Sequence, residues 1–395
     1  MPRLLLVGLV LLAACRESPP PRLEHDAYVW QRRWAEPVVA ALRDSADLLR
    51  AWRVLAGEVD AKGRFHRLAV DLAGLAASGR PAIPVVRIAA PLAGLDGPGL
   101  IAEIAALQQH WQAAGVPQLG LEIDHDCATR QLANYADWLA SLRRALAAER
   151  LLSITLLPDW LGVPALDALL ATVDESVLQL HAVANPRGVL FDPASARAWT
   201  AALARRTKRP FRVALPNYGS LVRRDEKGRI TAIESEGPAA RAAPAGVEWF
   251  AAPASVGGFL RQLEARPPAG LAGIVWFRLP VAGDRRAWTP ATWRAVITHR
   301  ETPVRLLGEI RQPATSPTSQ LFLRNVGAMD GVLPAALVVA APCRGSTGGA
   351  SFSFERQAAD SLFLRTGKAL LRAGDELFVG SLNCPPGGAQ IRIEP

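Results

Sequence analysis

Between Asp26 and about His299 the chain switches repeatedly from a short β-rich run to an amphipathic stretch. The β-rich runs are Ala27–Gln31, Trp52–Val59, Ile83–Ala89, Leu119–Asp124, Leu151–Leu156, Ser176–Val183, Phe211–Leu215 and Gly273–Leu279. Helical stretches such as Leu100–Ala114, Arg130–Ala148, Ala194–Arg206 and Ser255–Ala265 lie between them. Strands joined through helices run parallel, because a parallel return needs a crossover that a tight turn cannot supply. Eight such units in this length specify an α/β fold closed into a (β/α)8 TIM barrel. A doubly wound open sheet would call for a Gly-rich phosphate turn after the first strand, and none is present. The least regular unit is Arg64–Ala77, which carries both an extra strand and a short helix.

Two segments depart from the alternation. After the seventh strand, Asn217–Glu248 forms an insertion whose polar turn Asp225–Arg229 is flanked by Leu221-Val222 and Ile230–Ile233. This pattern predicts a β-hairpin over the C-terminal mouth of the barrel, where long loops build sites. After the Pro- and Ser-containing stretch Arg311–Ser319, the runs Leu321–Asn325, Ala336–Ala340, Ala350–Phe354, Ser361–Leu364, Glu376–Gly380 and Gln390–Ile393 predict a small antiparallel β-sandwich. The Gly-rich piece Arg344–Ser351 lacks the Gly-Lys-Ser/Thr ending of a phosphate loop and reads as a hairpin loop.

The chain opens with Met1-Pro2-Arg3, an apolar run from Leu4 to Leu12, then Ala13-Ala14-Cys15. A basic start, an apolar stretch too short to span a bilayer and a small-residue cleavage site describe a secretory signal. Leu12-Ala13-Ala14-Cys15 resembles the bacterial lipobox, which implies lipidation of Cys15 and a protein anchored in the cell envelope. Arg16, where an aspartate would retain the protein at the inner membrane, implies an outer-membrane location facing the periplasm. Pro19-Pro20-Pro21 makes a stiff spacer. The expected layout is a signal peptide over 1–15, a linker over 16–24, the barrel over 25–305 and the sandwich over 315–395. In an oxidising compartment Cys343 and Cys384 are free to pair, leaving Cys127 as a small buried residue. The net charge of +9 is scattered along the chain and accompanies no nucleic-acid motif, so no nucleic-acid partner is expected.

The chemistry concentrates on the fourth strand, Leu119-Gly120-Leu121-Glu122-Ile123-Asp124-His125-Asp126. Alternation puts Glu122, Asp124 and Asp126 on the face toward the barrel axis, the last of them at the catalytic end. Like charges so close resist ionising. Other strands offer Tyr28, Trp30, Glu58, Arg87, Gln179, His181, Trp276 and Arg278 as inward groups, and Tyr218 stands at the insertion. A polar pocket with aromatic walls suits a sugar ring. A salt-linked interior, with Arg87 and Arg278 neutralising the acids, is the competing reading. His125 points away from its acidic neighbours, so no metal site is expected there. No Gly-x-Ser-x-Gly elbow occurs and Cys127 has no histidine on its own face, so neither nucleophile is expected, nor any cofactor.

The fourth-strand run resembles the signature of family 18 chitinases, Asp-Gly-x-Asp-x-Asp-x-Glu. Gly120 matches the glycine, Glu122 and Asp124 the second and third acids, and Asp126 stands at the general-acid position. Leu119 replaces the first Asp, Asp126 is one methylene shorter than Glu, and Gln179 and His181 replace the tyrosine-aspartate pair of strand six. Trp276 resembles the tryptophan that floors that sugar site. His25–Arg32, Ile123–Cys127 and Arg209–Pro216 resemble a bacterial lipoprotein family, domain-of-unknown-function family 3142, grouped with glycosidase-type barrels. These likenesses imply a glycoside hydrolase acting on a polysaccharide, with Asp126 as general acid and Asp124 as its partner. Either the substrate's own acetamido group assists, or a second carboxylate comes from Glu58, Glu234 or Glu236. The alternative is a non-catalytic lipoprotein that binds glycan or a partner through a degenerate barrel site.

Overall fold

A computed structural model describes residues 23–395 except 148, 182–188, 236–246, 315, 317, 342, 348, 350, 358 and 385–389. The expected signal peptide with Cys15, the spacer prolines, Glu236 and the end of the sixth expected strand lie outside the described residues.

The barrel is closed. Its strands are β1 (Glu24–Val29), β2 (Ala51–Val59), β3 (Ala82–Ile88), β4 (Gly120–Asp124), β5 (Leu151–Leu156), β6 (Glu175–Gln179), β7 (Phe211–Pro216) and β8 (Leu271–Phe277). Each pairs in parallel with its neighbours, and both β8 and β2 pair with β1 to seal the ring. The helices Glu36–Ser45, Leu72–Ala77, Gly97–Ala113, Leu132–Ala145, Leu166–Ala171, Pro193–Arg206, Pro253–Ala265 and Pro290–Ile297 follow the strands in turn. Several start at a side chain that accepts a backbone N–H, as at Asp71, Asp96, Asp192 and Thr289. The irregular unit resolves into the strand Phe65–Arg67, antiparallel to β2, and the short helix Leu72–Ala77.

Strand parity sorts the core into two shells. Val54, Ala56, Leu121, Ile123, Leu152 and Ile154 face the helices, while Tyr28, Leu55, Val85, Val177, Ala214 and Val275 fill the axis. Gly120 is required where β4 meets β5: a Cβ there would sit 2.1 Å from the Leu151 carbonyl oxygen. Below the apolar layer lies a buried ion cluster. Arg53 of β2, 0% exposed, pairs with Asp26 of β1, Glu122 of β4 and Glu175 of β6. Arg212 of β7 reaches Glu175 at 2.8 Å and Glu24 at 2.9 Å. Burial alone would raise the carboxyls of Asp26 and Glu175, but the facing guanidiniums outweigh it and hold both below the ordinary range.

The insertion forms a three-stranded antiparallel sheet, with Gly219–Arg224 between Ile230–Glu234 and Val247–Phe250. The C-terminal unit is a sandwich. One sheet holds Leu306–Arg311, Ser319–Asn325, Glu376–Asn383 and Arg344–Thr347; the other holds Phe352–Arg356, Ser361–Arg365, Ala336–Val339 and Ile391–Glu394. Leu306–Arg311 already pairs into the first sheet, ahead of residue 315, where the sequence pattern starts it. Leu321, Leu323, Leu337, Val339, Phe352, Phe363 and Val379 fill the space between the sheets. A Cys343–Cys384 disulfide closes a loop with sequence separation 41. The sandwich is fastened to the loop after β8. Asp330 accepts from the Thr289 backbone N–H at 2.7 Å and its hydroxyl at 3.0 Å, and Arg372 donates to the carbonyls of Asp284 and Ala287.

Removing Arg53 leaves three carboxylates facing one another in a dry floor. Arg53→Met is expected to lose about 3–5 kcal/mol at neutral pH. The deficit should shrink as pH falls from 7 to 4, because acids left without Arg53 in the variant take up protons over that range and relieve their repulsion, while Asp26 and Glu175 of the parent, held below the ordinary range, stay ionised. Denaturant melts of both proteins at pH 4 and pH 7 check this.

Candidate active site at the barrel mouth

Above the apolar layer the inward positions become polar. Arg87 of β3, Asp124 of β4, Thr155 of β5 and Gln179 of β6 follow one another around the upper ring, with Glu58 of β2 beside Arg87 in register. Asp124 is 5% exposed. It accepts from Thr155 Oγ1 at 2.7 Å and lies 3.8 Å from Arg87 Nε. Burial, then the neighbouring Asp126 charge, push its carboxyl up to about 7. Asp126 follows on the same face and is exposed at the open mouth. The barrel walls still desolvate its carboxyl enough to raise it, against the pull of Arg87 and a hydrogen bond from Gln179. The two acids titrate as a pair, so one proton is retained toward neutral pH.

Glu122 is set apart from this pair. It belongs to the floor, where it accepts from Tyr28 Oη at 2.6 Å, from Ser153 Oγ at 3.0 Å and from Arg53. Its charge is consumed there. A salt-linked interior therefore does exist, but it is built by Arg53 and Arg212, which the motif reading did not single out, rather than by Arg87 and Arg278.

One wall of the mouth is aromatic. Phe277 is its hub, with ring centroids 5.3 Å from Trp30, 5.6 Å from Tyr28, 5.2 Å from His181 and 5.3 Å from Tyr218. The expected floor residue, Trp276, is not in the mouth. It points outward into the shell beneath the helices, packs on Trp288 and Trp293, and donates from Nε1 to His25 Nδ1 at 3.0 Å. The cause is parity: Ile274-Val275-Trp276-Phe277 is apolar on both faces, so the sequence carries no phase, and β8 presents Val275 and Phe277 to the axis.

Arg278 is also corrected. It is buried, with Nη2 on Asp284 at 2.5 Å and Nη1 on the Ser235 carbonyl at 2.7 Å, and its guanidinium lies over the Tyr218 ring. It fastens the hairpin to the barrel instead of opening to a ligand. Glu58 accepts twice from Arg32, at 3.0 and 2.7 Å. Glu234 pairs with Arg223 at 2.7 Å. His181 is held neutral by burial, which pulls it down to about 4. Tyr218 is raised by burial, so its hydroxyl stays protonated. His125 turns away from the acids and bonds through Nδ1 to the Ile88 carbonyl at 2.9 Å. Burial pushes the Cys127 thiol up to about 11, an inert setting.

Comparison with solved structures bears on the fold. The chain aligns with the spore cortex-lytic enzyme SleL of Bacillus cereus at TM-score 0.50 and 14% identity, covering 71% of this chain and 75% of that one. The SleL of Bacillus megaterium QM B1551 gives 0.50 and 12%, covering 71% and 74%. A chitinase from Chromobacterium violaceum ATCC 12472 gives 0.49 and 16%, covering 70% and 98%. The fold shared with the SleL structures is a (β/α)8 TIM barrel. Residues 78–282 match the model of the family described as Domain of unknown function (DUF3142), and the chain belongs to that family. Residues 309–385 match a second model, Domain of unknown function (DUF8456). No curated protein matches the chain.

The raised pKa of Asp124 has a stability signature. Its folded value lies above its unfolded one, so its contribution is fully present below about pH 4 and is lost as pH rises through about 7. Asp124→Asn removes the group that resists ionising. Its Tm is expected to match the parent near pH 4 and to exceed it by a few degrees, roughly 2–6 °C, at pH 8. Thermal melts across that range measure the crossover.

Proposed function

We propose that the protein is a glycoside hydrolase of the bacterial cell envelope acting on a polysaccharide, with Asp126 as its general acid. The observation that carries this reading is the acid pair itself. Two carboxyls with raised pKa occupy successive inward positions at the catalytic end of the barrel, one buried and one exposed. The exposed member reaches a bound glycosidic oxygen. The buried Asp124 keeps the shared proton available to it.

The chemistry follows from what surrounds the pair. Asp126 protonates the leaving oxygen as the bond from the anomeric carbon to that oxygen breaks. A nucleophile must then meet the anomeric carbon. Glu58 and Glu234 are each neutralised by an arginine, which favours the carbonyl oxygen of the substrate's own acetamido group in that role. Water, deprotonated by the Asp126 carboxylate, then opens the cyclic intermediate and restores the acid. Tyr218, protonated and next to Phe277, is assigned the steadying of the developing charge. Trp30 and Phe277 supply the apolar face for the sugar ring.

The same neutralised carboxylates give the second reading its support. With no free second acid supplied by Glu58 or Glu234, a barrel that binds glycan without cleaving it is the alternative. Reducing-end release separates the two. Over a panel of envelope polysaccharides, the lipid-free chain from Arg16 is expected to release reducing ends, with kcat falling at least about 100-fold in Asp126→Ala. Release should decline as pH rises through about 7, where the pair loses its proton. Wild-type rates in Asp126→Ala sink the acid assignment; glycan binding without release favours the second reading.

Anchoring rests on the first residues. Cys15 is proposed to carry the lipid, holding the body at the outer membrane on the periplasmic side, with Pro19-Pro20-Pro21 as spacer. Labelled palmitate is expected to enter the protein in cells and to be lost in Cys15→Ser. Incorporation unchanged by the substitution removes the anchor from the proposal.

A further inference from the structure

Arg87 stands beside the acid pair with its hydrogen-bonding capacity unused among the described residues. A guanidinium carries five N–H donors in a plane that matches a carboxylate's two oxygens. Arg87 makes no hydrogen bond among the described residues, its side chain is 40% exposed, and its ion-pair contact is the long 3.8 Å approach to Asp124. The neighbour placed to take it is Glu58, directly opposite across β2 and β3. But both Glu58 oxygens are occupied by Arg32. Arg33 and Arg130, on the loops that follow β1 and β4 at this same end, are exposed and form no ion pair among the described residues. Among the described residues the mouth therefore holds a half-exposed guanidinium whose one ion-pair contact is long, with further positive charge on the rim.

We propose that the glycan bound in the mouth is acidic, and that Arg87 receives a sugar carboxylate in a two-point contact while the aromatic wall holds the ring. This rests on the mouth being a glycan site, and it names the class of sugar. The placement has a reason beyond affinity. The groups facing Arg87 are Glu58 from β2, Asp124 and Asp126 from β4 and Arg32 from the loop after β1, with neutral His181 beyond β6. Of these, the acid pair feels Arg87 directly, since its charge draws both carboxyls toward ionisation. An incoming carboxylate cancels that pull, so the proton that catalysis needs is held most firmly when an acidic sugar is in place. A neutral sugar leaves Arg87 unfilled and the pair partly discharged, which turns charge recognition into selectivity of both binding and rate.

The test uses the full chain from Arg16 and carboxylated probes: polygalacturonate, alginate and hyaluronan oligosaccharides, each paired with its own carboxyl-reduced form. Calorimetry is expected to show at least one acidic probe binding tenfold or more tightly than its reduced counterpart, with the preference weakening as salt is raised. Arg87→Gln should abolish the preference and Arg87→Lys should restore part of it, while far-ultraviolet circular dichroism shows each variant folded. Asp126→Ala should keep the preference while losing any cleavage, which separates this proposal from the hydrolase reading. Equal binding of acidic and reduced forms, a preference that survives in Arg87→Gln, or binding of none of the acidic probes overturns it.

Discussion

Arg53 holds the barrel together from below. One guanidinium, cut off from water, meets carboxylates delivered by β1, β4 and β6, and Arg212 on β7 closes the circuit through Glu175 and Glu24. An isolated charge in that position would be prohibitive; a network in which every acid has a partner is tolerated, and it fixes geometry as well. Because the partners come from separate strands, the cluster sets which residue of each strand points inward. A one-residue slip of any strand would carry its charge into the apolar outer shell. The phase of the polar ring at the mouth is thus set by ion pairs at the opposite end of the same strands.

The two ends divide the acids of β4 between them. Glu122 and Asp124 are two residues apart and equally inward, yet one is saturated by donors and the other faces a single hydroxyl and a distant guanidinium. Environment, not residue type, separates the structural carboxylate of the floor from the raised acid pair at the mouth. The hairpin adds the remaining wall: Arg278, Asp284 and Ser235 tie it down, and Tyr218 sits where strand becomes insertion.

Most of the architecture was legible because it rests on period and length. Eight strand–helix units, the hairpin and most sandwich strands follow from alternation and turn residues, and Leu306–Arg311 escaped because Gly308 interrupts its alternation. In the site, Asp124, Asp126, Arg87 and Gln179 could be placed because polar residues mark the inward phase of otherwise apolar strands. Phe277 could not, since β8 is apolar on both sides and offers no phase; Trp276 drew the assignment through its likeness to the tryptophan that floors the chitinase sugar site. The partners were the least legible. That Glu122 is spent on Arg53 depends on which strands are neighbours and at what height, which only the closed ring determines. The bulge in β2 between Leu55 and Gly57 shifts parity before Glu58, another feature that pattern alone does not reveal.

The fastening of the sandwich to the loop after β8 gives the two units a shared inheritance. Asp330 and Arg372 grip residues of the loop that also supplies Asp284, the anchor of Arg278 and through it of the hairpin. Among the described residues the sandwich contributes no side chain to the acid pair or its aromatic wall, yet it braces the loop that anchors one side of the mouth. Exchange of this unit for an unrelated one would have to preserve those grips or let the rim drift. A disturbance on either side of those grips is therefore felt on the other, although each unit has a core of its own.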